Sequence, residues 1–242
     1  MYRIERTVGN SHVGADGTLT LGAAVDFMQD CCGFQLDHEK QLTEYFHENQ
    51  ITMFLISRQV NFHRPITYGE QVRIETSIYQ IKNTYGFRNT NIYDQNGELR
   101  ISSYAGGAFI DLKQMKATTI PKEIIATVPI DEKFSGMEYL PRKIRLPRDI
   151  VPEVMPAVKV CKAHIDINQH MNNSQYYRIA EEYLPEDFVI HTARCEYKEP
   201  ASRGMLMIPQ VSHLEKDGCE NSVYVISLQE ESGGVFANVE FR

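Results

Sequence analysis

The sequence has no long hydrophobic run, and its first ten residues are not predominantly apolar. No stretch of its 242 residues approaches the roughly 18 consecutive apolar residues that a membrane-spanning helix needs. The opening residues, MYRIERTVGN, carry charges where a secretory signal peptide has an apolar core. We therefore expect no membrane span and a cytoplasmic location.

Cysteines are few, and their spacing does not suit a disulfide or metal framework. There are five, at Cys31, Cys32, Cys161, Cys195 and Cys219, and none forms a CxxC pair. An odd number without regular spacing argues against a disulfide scaffold or a cysteine-based metal site. We expect reduced cysteines that are mostly buried.

Positive charge is in deficit as well. Lys and Arg total 25 against 32 Asp and Glu, which gives a net charge of −7 at pH 7. Such a chain repels nucleic-acid phosphates, so we expect no nucleic-acid partner. With 42% hydrophobic and 24% charged residues, the composition is that of an ordinary globular protein, and the length allows one large domain or two.

The first half of the sequence indicates one helix followed by strands. Leu21, Val25, Met28, Cys32 and Leu36 recur at steps of three or four residues, which predicts an amphipathic helix over 21–40. Segments rich in β-branched and aromatic residues follow, separated by turn residues. These predicted strands cover residues 53–62, 71–82, 85–94 and 99–112.

The second half repeats this order. A helix is predicted over residues 173–184, and strands are predicted over 189–197, 205–215, 222–229 and 235–241. Between the halves, prolines interrupt any regular pattern in residues 121–150, which are therefore predicted to form a linker.

One local match supports a duplication. Residues 61–69 (NFHRPITYG) can be laid on residues 196–204 (EYKEPASRG), so that an aromatic residue, a proline and a glycine coincide. Together with the shared order of elements, this match indicates two tandem repeats. One aligned position differs in charge, with Arg64 in the first half and Glu199 in the second.

A dense polar cluster precedes the second predicted helix. It contains Asp166, Asn168, His170, Asn172 and Asn173, whereas the corresponding first-half segment, DGTLTLGA, has no Asn or His. The start of a helix offers backbone N–H groups that can stabilise an oxyanion, and imidazole and carboxylate groups can move protons. Asn residues at this position also cap helices. As a cluster, the residues predict a site for acyl transfer or hydrolysis.

The cluster resembles a known signature. The pattern Asp166-x-x-x-His170-x-Asn172-Asn173-x-x-Tyr176 resembles that of hotdog-fold thioesterases, and its form with Asn168 is similar to that of acyl-acyl carrier protein thioesterases. The resemblance implies an α+β protein of two tandem hotdog repeats, each an antiparallel sheet wrapped around a long central helix. It implies an acyl-binding first repeat over 1–120, the linker over 121–150 and a catalytic second repeat over 151–242.

The same resemblance implies the catalytic residues and the reaction. Carried over by position, Asp166, Asn168 and His170 act with a glutamate that best matches Glu199, with Glu196 as the weaker alternative. The implied activity is hydrolysis of acyl-acyl carrier protein to a free fatty acid, as in fatty acid biosynthesis. Plant members have a cysteine after the glutamate, where this chain has Pro200, so a cysteine nucleophile is not expected. Either water or Asp166 attacks the thioester.

Other functions stay open at this point. A coenzyme A thioesterase would share the motif. Hotdog hydratases or dehydratases carry D-x-N-P-x-H, but His170 follows Asp166 by four residues without an intervening Pro. A non-catalytic acyl-binding module would need no charged base. His164, Asp166 and His170 could together bind zinc, although the resemblance implies neither a metal nor another cofactor.

The implied partner is an acyl carrier protein, which is strongly acidic. The main basic run of the sequence lies at Arg142, Lys143, Arg145 and Arg148, and a local basic patch on an acidic enzyme would suit docking of such a carrier. Candidates for lining an acyl pocket are Met28, Met53, Phe54 and Leu55. The oligomeric state is open, with a homodimer among the alternatives.

Overall fold

The structure is a computed structural model that describes residues 1–146, 149–215 and 222–242. The chain divides into a first unit, Met1–Tyr139, and a second unit, Leu140–Arg242. Among the described residues, no helix is both long and apolar enough to cross a membrane. Arg148 and Cys219, which entered the sequence-based predictions, lie outside the described residues.

The first unit is built on an antiparallel sheet. Its strands are β1 (Tyr2–Thr7), β2 (Ile51–Phe62), β3 (Gln71–Lys82), β4 (Tyr85–Asp94), β5 (Leu99–Asp111) and the short β6 (Lys116–Ala117). They lie in the order β1-β3-β4-β5-β2, and β6 pairs with the end of β5. Sequence neighbours β3, β4 and β5 are therefore also neighbours in the sheet, as a meander predicts.

A helix covers one face of this sheet. Helix α1 (Leu21–His38) packs on β3 and β4. Leu21, Val25 and Met28 are fully buried, as their spacing predicts. The helix begins after Thr20, whose Oγ1 accepts the N–H of Ala23 at 3.2 Å, the usual arrangement of an N-cap.

The predicted helix over 21–40 is interrupted. The chain turns at Glu39, and a second helix, α2 (Lys40–Asn49), follows. The hydroxyl of Thr43 donates to the carbonyl of Leu36 at 2.8 Å, which satisfies an acceptor at the end of α1. Leu42 and Phe46 of α2 are buried against β3 and β5 residues of the first unit.

Residues 121–139 are part of the first unit rather than of a separate linker. Short helix α3 (Lys122–Ile125) follows Ile120, which is buried with Val128 in the same core as α2. Asn89 Oδ1 accepts the N–H of Phe134 at 3.1 Å and the hydroxyl of Tyr139 at 3.0 Å. These contacts fix the proline-containing segment on the sheet.

The second unit repeats the strand order with shorter elements. Its strands are β7 (Glu153–Val154), β8 (Val158–Lys159), β9 (Thr192–Tyr197), β10 (Leu206–Leu214), β11 (Val223–Gln229) and β12 (Val235–Phe241). The sheet has the antiparallel order β9-β12-β11-β10, and β7 and β8 both pair with β10. Its helix, α4 (Asn173–Glu181), contacts β11 and β12.

Helix α4 is half the length of α1, contrary to the expected long helix in each repeat. The prediction extended it to residue 184, but it ends at Glu181. Pro185 follows Leu184, and the residue before a proline is disfavoured in the helical conformation. Residues 182–184 form a tighter turn in which Leu184 N–H donates to the carbonyl of Glu181 at 3.1 Å.

The basic segment after residue 140 belongs to the second unit. Ile144 is buried against Val223 and Val225, and its N–H donates to Glu196 Oε2 at 3.0 Å. The neighbouring side chains of Arg142, Lys143 and Arg145 are exposed. The expected linker over 121–150 is thus shared between the two units.

A buried ion pair joins two strands of the second unit. Arg194 in β9 lies opposite Glu240 in β12, and the guanidinium donates to both carboxylate oxygens at 2.9 and 2.7 Å. Arg194 also donates to the carbonyl of Pro141, and Arg242 donates to Glu240. Burial alone would raise the pKa of Glu240, but the hydrogen bonds from the two arginines outweigh it, so the pKa is lowered.

The cysteines are not joined by disulfide bonds among the described residues. Cys31 and Cys195 are buried and Cys32 is half-buried, in line with the prediction, but Cys161 is exposed.

Replacing Arg194 with Met should destabilise the protein by roughly 3–5 kcal/mol, because Glu240 would be left buried without its main partner. The loss should shrink as the pH falls through the pKa of Glu240, since a lowered pKa means that the charged carboxylate stabilises the fold only above it. Urea unfolding followed by circular dichroism measures both effects, as the sequence has no tryptophan.

The matched control is Arg64→Met in the first unit. Arg64 pairs with Glu98 at 3.0 Å, but both side chains are more than half exposed, so the loss should stay below about 1 kcal/mol. Equal losses in the two variants would contradict the assignment of a stabilising role to the buried pair.

Candidate active site

The predicted signature residues lie in one tight loop before α4. The N–H of Asp166 donates to the carbonyl of His170 at 2.9 Å, and the N–H of Gln169 donates to the carbonyl of Asp166 at 3.1 Å. Gln169 closes the loop with a φ of 63°, a left-handed conformation that is uncommon for a non-glycine residue. The loop brings Asp166, Asn168 and His170 together.

Asp166 fixes the conformation of Asn168. Asp166 Oδ1 accepts the backbone N–H of Asn168 at 2.8 Å, and Oδ2 lies 3.5 Å from the Asn168 side-chain nitrogen. Asp166 and His170 are half-buried, while Asn168 is exposed. The carboxylate therefore orients the loop and leaves the amide group of Asn168 open to a ligand.

Asn172 is the N-cap of α4. Its Oδ1 accepts the N–H of Ser174 at 2.9 Å, and its carbonyl accepts the N–H of Gln175 at 2.9 Å. These N–H groups of the first helical turn are satisfied within the protein. The sequence-based idea that N–H groups at the helix start polarise a bound carbonyl is therefore wrong for Ser174 and Gln175.

Glu199 lies after β9, in a segment that is bonded to the motif. The carbonyl of Ala201 accepts the N–H of Met171 at 2.8 Å, and the N–H of Ala201 donates to the hydroxyl of Tyr176 at 3.1 Å. Burial raises the pKa of Tyr176 to about 12, so the hydroxyl keeps its proton. The structure thus brings the segment of Glu199 against the segment of His170.

The first unit contains the same loop with different side chains. His12, Gly14, Asp16, Thr18 and Thr20 make the backbone contacts that the residues 152 positions later make in the second unit. The N–H of Gly14 donates to the carbonyl of Thr18, and the N–H of Thr20 donates to the carbonyl of His12. The equivalents of Asp166, Asn168 and His170 are therefore Gly14, Asp16 and Thr18.

The structure also aligns Glu199 with Arg64. The N–H groups of both residues donate to the carbonyl of the second residue of a strand, which is Arg100 of β5 in the first unit and Phe236 of β12 in the second. Arg64 is paired with Glu98, whose equivalent is Gly234. The carboxylates of Glu199 and Glu230 both lie beside Gly234. The side chain of Glu199 is exposed, and the described contacts give it no hydrogen-bond or ion-pair partner.

Family models match nearly the whole chain. The acyl-ACP thioesterase N-terminal domain matches residues 1–128, and the acyl-ACP thioesterase C-terminal domain matches residues 152–240. The chain belongs to the acyl-ACP thioesterase family. It is a thioester hydrolase of acyl-ACP, which confirms the resemblance seen in the sequence and disfavours the hydratase alternative.

Solved structures show the fold of this thioesterase. An acyl-ACP thioesterase from Bacteroides thetaiotaomicron has a TM-score of 0.87 at 17% identity, covering 99% of this chain and 96% of that chain. The 12:0-ACP thioesterase from Umbellularia californica has a TM-score of 0.83 at 18% identity, covering 99% and 92%. Both support the predicted α+β hotdog architecture. No curated protein matches the sequence significantly.

Glu196, the weaker sequence candidate, is buried and bonded to other residues of the thioesterase. It is 7% exposed, it accepts the N–H of Ile144, and its other oxygen lies 3.6 Å from Lys198 Nζ. A carboxylate held in this way is not available to activate water. Glu199 is the better candidate for the base.

His164 has a structural role that the sequence analysis missed. Its Nδ1 accepts the N–H of Cys161 at 3.2 Å, as His12 Nδ1 accepts the N–H of Gly9 at 2.9 Å in the first unit. Both copies therefore use a histidine to close a short 3-10 turn, Asn10–His12 and Lys162–His164. This shared role argues against the zinc alternative, and the described residues contain no cluster of three metal-ligating side chains. The eight-residue spacing of His12 to Thr20 and of His164 to Asn172 is the sequence signal.

Proposed function

We propose that the thioesterase hydrolyses acyl-acyl carrier protein by attack of water on the thioester carbonyl, at the loop of Asp166, Asn168 and His170 in the second unit. The observation that supports this most directly is the attachment of that loop to the segment of Glu199 through Ala201. This attachment places the carboxylate of Glu199 on a segment that is hydrogen-bonded to the one with the imidazole of His170 and the amide of Asn168.

Glu199 and His170 are the proposed water-activating groups. Glu199 is exposed and carries no described side-chain partner, so its carboxylate can accept a proton from water. The backbone around His170 is held on both sides, by the bond from Asp166 N–H and by the bond from Met171 N–H to Ala201. As the oxygen of water bonds to the carbonyl carbon, the C–S bond breaks and the thiolate takes up a proton.

Asn168 is the proposed donor to the thioester carbonyl. Its side chain is exposed, while its backbone is fixed by Asp166. A fixed amide donor can stabilise negative charge that develops on the carbonyl oxygen. Because the N–H groups of Ser174 and Gln175 are bonded to Asn172, this task rests more on Asn168 than the sequence suggested.

Glu199→Gln should lower kcat by about 10²–10⁴-fold, because general-base catalysis typically contributes that much. Steady-state hydrolysis of an acyl-acyl carrier protein, followed by released thiol, measures the loss. Urea unfolding should be unchanged, since the side chain is exposed. The matched variant Glu196→Gln should show the opposite pattern: its stability to urea should be reduced, and its kcat should change much less. Near-normal turnover in Glu199→Gln would overturn the assignment.

Asp166 is proposed to position Asn168 rather than to attack the thioester. Both of its oxygens face Asn168, at 2.8 and 3.5 Å from the two nitrogens. A nucleophilic carboxylate would instead form an anhydride with the acyl group, and water would then cleave it.

A single turnover in H₂¹⁸O with enzyme in excess distinguishes direct attack of water from an anhydride route in which water cleaves the anhydride at the Asp166 carboxyl carbon. With water as the nucleophile, ¹⁸O should enter the fatty acid and the peptide that contains Asp166 should keep its mass. The same peptide from enzyme incubated without substrate is the control. An ¹⁸O label in Asp166 after turnover would show the anhydride route instead.

The acyl chain is proposed to occupy an apolar cavity within the first unit. The cavity holds about 40 Å³ and is lined by apolar side chains, among them Leu55, Phe87 and Phe109, with Arg88 as the exception. Of the sequence candidates, Met53 and Leu55 line it, whereas Met28 lies in the core and Phe54 is not among the lining residues. One water-sized group needs ~10–15 Å³ by this measure, so the cavity has room for only a few carbon atoms. An acyl chain longer than that can enter only if a side chain moves.

Met53 is the side chain best placed to move. A Cβ atom on Gly107 would lie 2.6 Å from Met53 Cγ, so the thioether fills the space that this glycine leaves open. Methionine is flexible and adapts to irregular apolar space.

Met53→Ala should shift chain-length preference towards longer acyl groups. One methylene in an apolar pocket changes kcat/KM by about 10-fold or more, so the ratio for chains two carbons apart should change by at least that factor. Gly107→Ala, which crowds Met53, should shift the ratio in the opposite direction. Unchanged preferences in both variants would place the acyl chain elsewhere.

A further inference from the structure

A basic depression lies beside the candidate active site on the second unit. Lys159, Lys162 and Arg203 line an open hollow of about 420 Å³, together with Val160, Cys161 and Gly204. The three cationic side chains are exposed, and the described contacts include no ion pair for any of them. No acidic residue lines the hollow. These three residues are called the basic surface.

The fold does not require this charge. The N–H of Gly204 donates to the carbonyl of Val160, and the N–H of Val160 donates to the carbonyl of Met205, both at 2.9 Å. The first unit makes the same bonds with Val8, Gly69 and Glu70. At the positions of Lys159, Lys162 and Arg203, however, it has Thr7, Asn10 and Tyr68.

The two repeats therefore differ here as they differ at the catalytic loop. The same backbone framework carries no cation in the first unit and three in the second. A surface charge that is present only in the copy with the catalytic motif points to a role in handling substrate.

The basic surface is continuous with both catalytic segments. Lys162 precedes Asp166 by four residues, and Arg203 follows Glu199 by four residues. Four residues span at most ~14 Å. A partner bound at the basic surface would therefore sit next to the loop where the thioester is cleaved.

We propose that the basic surface is the docking site for the acidic face of the acyl carrier protein, an inference that rests on the proposed function. The thioesterase has a net charge of −7 and repels an acidic partner at long range, so a local cationic surface is needed to orient it. Ile167, in the catalytic loop, is 95% exposed and offers an apolar contact.

The neighbouring surface limits where the carrier binds. Met205 and Leu206 are exposed beside Arg203, but the hollow on their other side is lined by Glu230 and Glu231. An acidic partner is expected to stay on the side of Arg203.

The test reverses the charge of the basic surface. Lys159→Glu/Lys162→Glu/Arg203→Glu should raise the KM for acyl-acyl carrier protein by about tenfold or more, with the effect diminishing at high salt. The kcat should stay within about twofold of the parent value, because rim charges act mainly on association. The kcat/KM for an acyl-pantetheine, which has no carrier, should be unchanged.

The matched control is the basic run predicted from the sequence. Arg142→Glu/Lys143→Glu/Arg145→Glu makes the same change in net charge and is expected to leave the KM near the parent value. An equal or larger rise in this control, or no rise in the test variant, would overturn the proposal. An equal rise for acyl-coenzyme A would also overturn it, in favour of binding nucleotide phosphates.

Cys161 allows docking to be measured without turnover. Cys161 is exposed in the hollow that the basic surface lines. Bound acyl carrier protein should therefore slow its modification by a bulky maleimide, which is measured as the mass increase of the peptide that contains Cys161. The charge-reversed variant should lose this protection. Protection without any hydrolysis of acyl-acyl carrier protein would sink the proposed function while supporting the docking site, whereas hydrolysis without protection would do the reverse.

Discussion

Both backbone polar groups of Ala201 are bonded to the segment that carries the catalytic signature, and the site depends on this attachment. The carbonyl holds Met171 and the N–H is held by the Tyr176 hydroxyl. Ala201 is fully buried, so breaking either bond would leave an unsatisfied buried group at a cost of about 1–3 kcal/mol. The connection keeps Glu199, two residues earlier, at a defined position relative to His170.

The duplication shows that this framework is separable from the chemistry. In the first unit, the N–H of Leu19 donates to the carbonyl of Ile66 at 2.7 Å, as Met171 does to Ala201. The loop closes there with Gly17 at a φ of 75°, where the second unit has Gln169 at 63°. Because backbone groups make these bonds, the side chains on the loop were free to diverge. The candidate catalytic residues are therefore a few side chains on a scaffold that both units share.

The sequence predicted the elements that depend on local pattern. Strands β3, β4 and β12 begin and end at the predicted residues, and the other predicted strands differ by one to three residues at their ends. These strands alternate apolar and polar residues or are rich in β-branched residues, because side chains in a sheet are buried on at least one face. The candidate catalytic loop could be proposed from the sequence because its residues are contiguous.

Elements that depend on distant contacts could not be predicted in this way. Strand β1 is held by β3, and residues 121–139 are held by Asn89 and the core around Phe46. Helix α2 is short, and the turn before it is fixed by the hydroxyl of Thr43. None of these contacts leaves a periodic signal, since each joins residues that periodicity does not relate.

Three glutamates of the second unit differ in burial and therefore in what their carboxylates can do. Glu240 and Glu196 are 5% and 7% exposed and are held by Arg194 and by the N–H of Ile144. A carboxylate in such a place stabilises the fold because its charge is compensated, and for the same reason it cannot accept a proton from a substrate water. Glu199 follows β9 closely in sequence but is exposed.

A comparison with the first unit explains why the carboxylate of Glu199 has no ion-pair partner. There the equivalent position is cationic and pairs with Glu98. In the second unit, Glu199 replaces the cation and Gly234 replaces its acidic partner, so an ion pair of little value to stability is exchanged for a carboxylate that lies beside a glycine and near the carboxylate of Glu230. The exchange alters neither the backbone bonds to Phe236 nor the buried pair of Arg194 and Glu240. The carboxylate that we propose as the general base can therefore be placed after the end of this strand, outside the sheet, at little cost to the fold.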